Sequence, residues 1–241
     1  MKIYLICWAI SFIHFTYSSG QNISFKVKKE WLEEDLKQLK KQISQEYYLN
    51  DFFIKGQLYQ EKYIPELHPY FEKDEWTSGI IIFENNIYEV PRLKYDITKD
   101  LLIYFHITEE QPYTIALTPI YINEFIIHGK RFRYLNNETI KELKPGYYEV
   151  KYDRNTKFYV KWEKYFLMNN QMHRMESNIR KSLYLMKNKE MIKIKNSNSL
   201  FRAFQEKKKD VKSFMKKNSI TFSKDDLTGI IKALEYYDKI D

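Results

Sequence analysis

Two aspartates bracket a polar run, Tyr95-Asp96-Ile97-Thr98-Lys99-Asp100. Two carboxyls held about 5–9 Å apart in a cleft can divide acid and base work on a glycosidic bond. A calcium loop needs more oxygen ligands at alternating positions than this run supplies. Turn chemistry accounts for aspartates at both ends of a hairpin turn equally well. His106 lies in an apolar run close to Glu109 and Glu110, a second place where a proton could be moved. His68, His106, His128 and His173 show no i, i+4 pairing, so the helical zinc-protease pattern is absent. No serine sits in a Gly-x-Ser-x-Gly elbow, and no glycine loop is present to cradle phosphate. The sequence therefore assigns no catalytic, cofactor-binding or metal residue.

Two further groups offer binding. Trp76, Tyr70 and Tyr95 carry ring faces that can stack on sugars, although rings so numerous in a glycine-poor chain must also fill a core. Lys207, Lys208, Lys209, Lys212, Lys216 and Lys217 crowd one short segment. Each can contribute about 1 kcal/mol against anionic headgroups, or the group can be the solvated face of a docked helix. The formal net charge of +8 favours an anionic partner. For an exported chain that means an envelope protein, an anionic membrane surface or a glycan, and not nucleic acid.

Export is read from the first residues. Met1-Lys2 gives a positive start, Ile3 to Phe15 an apolar run, and Ser18, Ser19 and Gly20 the small residues of a cleavage site. The run is shorter than the roughly 20 residues of a spanning helix. Cleavage is expected after Gly20. Cys7, the only cysteine, leaves with that segment, so the mature chain has no disulfide, thiol nucleophile or thiolate metal site. Its stability must come from burial, and an aromatic content of 17% can supply it. No later segment is long and apolar enough to span a bilayer.

The elements that must position these groups follow from pattern. Residues 21–77 comprise a helix, with Leu32, Leu36, Leu39 and Ile43 in one stripe, and an aromatic, loop-rich stretch that packs its rings on a sheet. Residues 78–195 alternate short β-branched and aromatic runs with turns of three to five residues. That spacing predicts a sequential antiparallel meander, forming a barrel or a sandwich, so the fold class is mainly β with added helices (α+β). Residues 165–180 show no period and predict a mobile loop or extension. Lys181 to Met186 and Met191 to Ile194 predict a last hairpin. Residues 196–241 are basic and helical. Leu200, Phe201, Phe204, Val211, Phe214 and Met215 supply one stripe. A cap-like Ser223 and Asp226 precede a firm stripe of Leu227, Ile230, Ile231 and Leu234.

Several runs resemble a family of exported, periplasmic proteins of Bacteroidetes that has no assigned activity. They include Gly56-Gln57-Leu58-Tyr59, His68-Pro69-Tyr70-Phe71, Asn86-Ile87-Tyr88-Glu89-Val90-Pro91 and Lys144-Pro145-Gly146-Tyr147-Tyr148-Glu149-Val150. The tail resembles theirs through Lys207-Lys208-Lys209, Phe214-Met215-Lys216-Lys217-Asn218 and Tyr236-Tyr237-Asp238. The resemblance covers residues 56–240, implies an envelope or periplasmic location, and brings no catalytic residue. Where the family tends to place glycine in hairpin turns, this chain has Asn85-Asn86 and Arg154-Asn155, which tolerate the same backbone. The expected function is that of a non-enzymatic binding or accessory module of the cell envelope. The alternatives are a hydrolase of an envelope polysaccharide or peptide using Asp96, Asp100 or His106, and a structural subunit of an envelope complex.

Overall fold

The computed structural model describes residues 56–60, 67–83, 86–107, 111–136 and 143–241. The expected signal segment and the helix around Leu32 to Ile43 lie outside them. Among the described residues eleven strands form a single antiparallel sheet. Its first half comprises β1 (Gly56–Leu58), β2 (Thr77–Phe83), β3 (Asn86–Asp96), β4 (Leu101–Ile107) and β5 (Pro112–Leu117). The second half comprises β6 (Ile122–Ile127), β7 (Lys130–Leu135), β8 (Gly146–Asp153), β9 (Lys157–Asn169), β10 (Arg174–Lys187) and β11 (Glu190–Ile194). The order across the sheet is β1-β5-β4-β3-β2-β6-β7-β8-β9-β10-β11. Two meanders, β2 to β5 and β6 to β11, thus meet where β2 pairs with β6 (Ile80 opposite Ile126). The meander prediction holds in kind, but the ladder is open, with β1 and β11 at its ends. A closed barrel is not shown.

Strand alternation sorts the side chains into separate cores. Along β3, Tyr88, Val90, Leu93 and Tyr95 are buried and Glu89 and Arg92 are exposed. The first core gathers residues from β2 to β8 around Tyr95. The Tyr95 ring stands 5.1 Å from Phe125, 5.1 Å from Phe132 and 5.9 Å from Tyr147, mostly edge to face. Such pairs add about 0.5–1.5 kcal/mol each beyond area burial. Part of the aromatic stretch before β2 packs here as predicted. Phe71 is buried, and its N–H donates to the Tyr95 carbonyl at 2.8 Å.

The second core lies between β8 to β11 and the helices α1 (Ser197–Ala203), α2 (Lys208–Lys217) and α3 (Thr228–Ile240). Leu200, Phe204, Val211, Met215, Ile230, Leu234 and Tyr237 meet Phe158, Val160, Leu183, Leu185 and Ile194 there. The tail is therefore docked. Asp238 fixes it by accepting from Tyr152 Oη at 3.0 Å and Thr156 Oγ1 at 2.8 Å. Ser223 Oγ accepts the N–H groups of Asp225 and Asp226, and Asp226 accepts from Thr228 N. The predicted cap residues thus shape the turn into α3, which begins at Thr228.

Residues 165–180 are not a loop. They form the outer part of a long β9–β10 hairpin, with Tyr165 opposite Asn178 and Met168 opposite Met175. No period is visible in the sequence because this ribbon carries Leu167 on one face and Met168 on the other, both exposed. The last hairpin, β10–β11, forms where the pattern places it.

On β6, β7 and β8 a charge ladder joins Glu124 to Arg131 and Arg133, and Arg133 to Asp153 at 2.8 Å. Burial opposes ionisation of Glu124, but hydrogen bonds from Arg131 and Arg133 prevail and hold its carboxyl below the usual range. A hydrogen bond from Arg133 does the same for Asp153. Carboxyls depressed in the fold contribute stability above their unfolded pKa, about 4, and lose it as pH falls through the folded value. Urea midpoints should therefore drop steeply below about pH 4, and Glu124→Gln should flatten that drop. An unchanged slope in the variant would remove Glu124 from the account.

Candidate functional site

The two aspartates of the β3–β4 turn have different duties. Asp96 is fully buried. Its Oδ1 accepts from Thr98 N at 2.8 Å, Thr98 Oγ1 at 2.6 Å and Lys99 N at 3.0 Å, and its Oδ2 from Tyr59 Oη at 2.8 Å. Those bonds are the turn chemistry of aspartate, and they occupy the carboxylate. Asp100 has left-handed backbone (φ 62°), which aspartate tolerates, and it reaches across to the other meander. It accepts from Tyr95 Oη at 2.5 Å and Tyr147 N at 3.2 Å, and it pairs with the Lys161 ammonium at 2.5 Å. His106 sits on β4 against Tyr104 Oη at 3.0 Å. It does not join the aspartates, so the three side chains do not converge in one pocket.

Of the ring candidates, Tyr70 and Tyr95 are buried at 0% and 1% exposure and have no face open to a ligand. Tyr70 and Trp76 instead flank Lys94, whose Nζ lies 4.4 Å and 4.5 Å from their ring centres and 2.6 Å from Asp74. Trp76 also lies 5.2 Å from the Phe105 ring. A sequence rich in tyrosine cannot announce which rings the sheet will enclose.

The turn of β3–β4, the start of β8 and the middle of β9 enclose a cleft of about 470 Å³. Its cations are Lys99, Lys144, Lys161, Lys164 and Arg180. They outnumber its carboxylates, Asp100 and Glu163. Sequence reading singled out Asp100 but missed the cations and Glu163, which come from four separate segments and share no motif. Lys161 is 3% exposed, and burial lowers its pKa against the opposing pull of Asp100. Lys164 is also buried, and desolvation lowers its pKa while Asp96 and Asp74 raise it. Burial opposes the charge on Glu163, yet hydrogen bonds from Lys144 (2.9 Å) and Arg180 (2.8 Å) keep it ionised below the usual range. Gly146 permits the arrangement. A Cβ at this position would overlap Asp100 Oδ2 and Lys161 Nζ, and its φ of +148° belongs to glycine.

The lysines of the tail lie elsewhere. Val211 and Met215 bury one side of α2, and Lys208, Lys209, Lys212, Lys216 and Lys217 are exposed on the rest. Lys207, in the turn before α2, is half-buried. Among the described residues none of the six forms an ion pair within 4.0 Å. Lys216 and Lys217 suit the C-terminal end of the helix dipole, but Lys208 and Lys209 oppose its N-terminal end. Lys208, Lys212 and Lys216 also repel one another at i, i+4 spacing. Among the described residues no group of three or more His, Cys, Asp or Glu side chains is placed to hold a metal ion. No helix among them is long and apolar enough to cross a membrane. No family model, curated protein or solved structure matches the chain.

Asp100→Asn strips Lys161 of its counter-charge and should cost about 3–5 kcal/mol. Asp96→Ala removes turn bonds and should cost about 1–2 kcal/mol. Gly146→Ala, which displaces both partners, should cost about 3 kcal/mol. Urea unfolding of the three variants checks the ranking. An Asp100→Asn chain as stable as the parent would show that the pair holds nothing together.

Proposed function

We propose that this chain is an exported, non-enzymatic accessory protein of the cell envelope that contacts an anionic surface through the lysine face of α2. The carrying observation is the placement of those lysines. A helix whose only task was to cover the sheet would gain from fewer of them, because Lys208 and Lys209 oppose the dipole and the i, i+4 series repels itself. The apolar side of α2 is held in the second core, so the cations project from a fixed surface and lose little entropy on contact. The positive start and apolar run of residues 1–20 support export, with the mature chain beginning near Gln21. The Bacteroidetes resemblance supports a periplasmic or envelope-associated place.

The reading predicts that the chain sediments with vesicles containing anionic lipid at low salt and releases at 1 M salt, where screening acts over about 3 Å. A Lys208→Gln/Lys209→Gln/Lys212→Gln variant should bind at least tenfold more weakly, at about 1 kcal/mol per lysine. The same variant should be no less stable to heat. Equal binding by parent and variant would dispose of the helix as the contact. Release from vesicles with retention on native envelope fractions would move the contact to an envelope protein or glycan.

A second reading, a structural subunit of an envelope complex, is favoured by the exposed Leu167, Met168, Met172, Met175 and Ile179 on the β9–β10 ribbon. Ile179→Asp would then weaken co-purification of the complex and leave vesicle binding unchanged.

A further inference from the structure

We infer that the tip of the β9–β10 ribbon binds a cuprous ion through the thioethers of Met168 and Met175 and the imidazole of His173. The inference is independent of the α2 contact and of the subunit reading. Three of the chain's seven methionines fall within residues 168–175, together with His173. Methionine is ordinarily a buried residue, yet Met168, Met172 and Met175 are 60%, 61% and 42% exposed. A second cross-strand pair shows the ordinary use. Met186 and Met191 face each other across β10 and β11, and they pack on the cluster around Tyr148 and Tyr159. Met168 stands opposite Met175 in the β9–β10 register, so the two thioethers project from the same face of the ribbon. His173, two residues before Met175, lines the same open hollow as both methionines, with Leu67 and Ser177.

Two details fit this group for a soft cation. The first is the tautomer of His173. Its Nδ1 lies 2.7 Å from the Asn170 carbonyl. A carbonyl only accepts, so Nδ1 carries the proton of the neutral ring and Nε2 keeps its lone pair. Histidines that ligate metals are oriented by such a bond at the other nitrogen. Asn169 Oδ1 accepts the N–H groups of Gln171 and Met172, each at 3.1 Å, which fixes the turn that carries the ring. The second detail is charge. Arg174 and Glu176 alternate with Met175 along β10, so their side chains lie on the opposite face. There they pair at 3.1 Å, and Asn169 donates to the same carboxylate at 3.1 Å. Glu176 is the one carboxylate among the described residues of the hollow, and it is thus engaged on the far side. The methionine face offers neutral donors. Calcium and magnesium require oxygen ligands. Thioethers select Cu(I), and imidazole suits copper as well, so the three side chains supply a site for a soft monovalent ion.

Competition against a chromogenic Cu(I) chelator, without oxygen and with ascorbate present, tests the assignment. The full chain carries Cys7→Ser, so that its single thiol takes no part. The expected result is one equivalent of Cu(I) bound, undisturbed by zinc or calcium ion at equal concentration. Loss even of a group that orients a ligand costs about 10–100-fold in metal affinity, so Met168→Leu/Met175→Leu should cost at least about a hundredfold. His173→Asn should cost at least about tenfold, and asparagine tolerates the left-handed backbone at this position (φ 52°). Leucine keeps the volume and apolar character of methionine, so a ribbon that served only as an apolar contact would not register the double change. Met186→Leu/Met191→Leu and Ile179→Asp should each bind Cu(I) as the parent does. Silver ion, a redox-inert stand-in for Cu(I), should shift the methyl NMR signals of Met168 and Met175 and leave those of Met186 and Met191 in place. Unchanged Cu(I) affinity in the Met168→Leu/Met175→Leu chain, displacement by equimolar zinc, or shifts confined to the other methionines would each overturn the inference.

Discussion

The contact on which the rest of the structure depends is the pair between Asp100 and Lys161. Two meanders share the β2–β6 ladder, and that ladder alone would let them splay. Asp100 leaves the first meander at a left-handed turn and is received in the second by the Lys161 ammonium and the Tyr147 N–H. A backbone bond from Lys164 N to the Ile97 carbonyl, 3.3 Å long, supports the same junction. Bringing an ion pair out of water is costly, so such a pair fixes geometry more than it adds net stability. The Tyr95 hydroxyl completes it, which joins the polar junction to the centre of the aromatic core.

Trp162 shows how the two cores communicate. It packs against both hydrophobic clusters, and its indole N–H donates to Glu149 at 2.8 Å. The cleft opens beside this residue and beside the Asp100 junction. Its walls are thus backed on one side by the first core and on the other by β9, which also supports the helices. The lysine face of α2 belongs to the second core alone. The two candidate surfaces are therefore held by different cores.

The strands and the tail helices were legible because their periods are plain. Ile80 to Phe83, Leu101 to Ile107 and the Leu227-Ile230-Ile231-Leu234 stripe all form elements at or near the positions their patterns indicate. The open ladder was not legible, since alternation says which residues face inward but not whether the end strands pair. The distal hairpin was hidden because both faces of the ribbon are wet and the sequence there has no reason to alternate. Asp96 was legible as a turn residue, and its bonds are those of a turn. The cleft was illegible in principle: Lys99, Lys144, Lys164 and Arg180 meet only after the chain has folded from the β3–β4 turn through to β10. Gly146 lies in a run singled out for its resemblance, and its lack of a side chain is what admits the ion pair.

The clasp between Thr156 and Asp238 has a bearing on the order of events as the chain acquires its structure. The two residues are 82 positions apart, and the helix that carries Asp238 follows every other described element. Loop closure over that span is slow relative to hairpin formation. The face of β9 to β11 that the helices cover must therefore stay wetted until the final turn of α3 has emerged and docked. During that interval the apolar strip around Phe158, Val160 and Leu185 is open to other sticky surfaces. That interval, with the strands paired and their cover not yet in place, is the stage of folding at which the chain is most prone to aggregate.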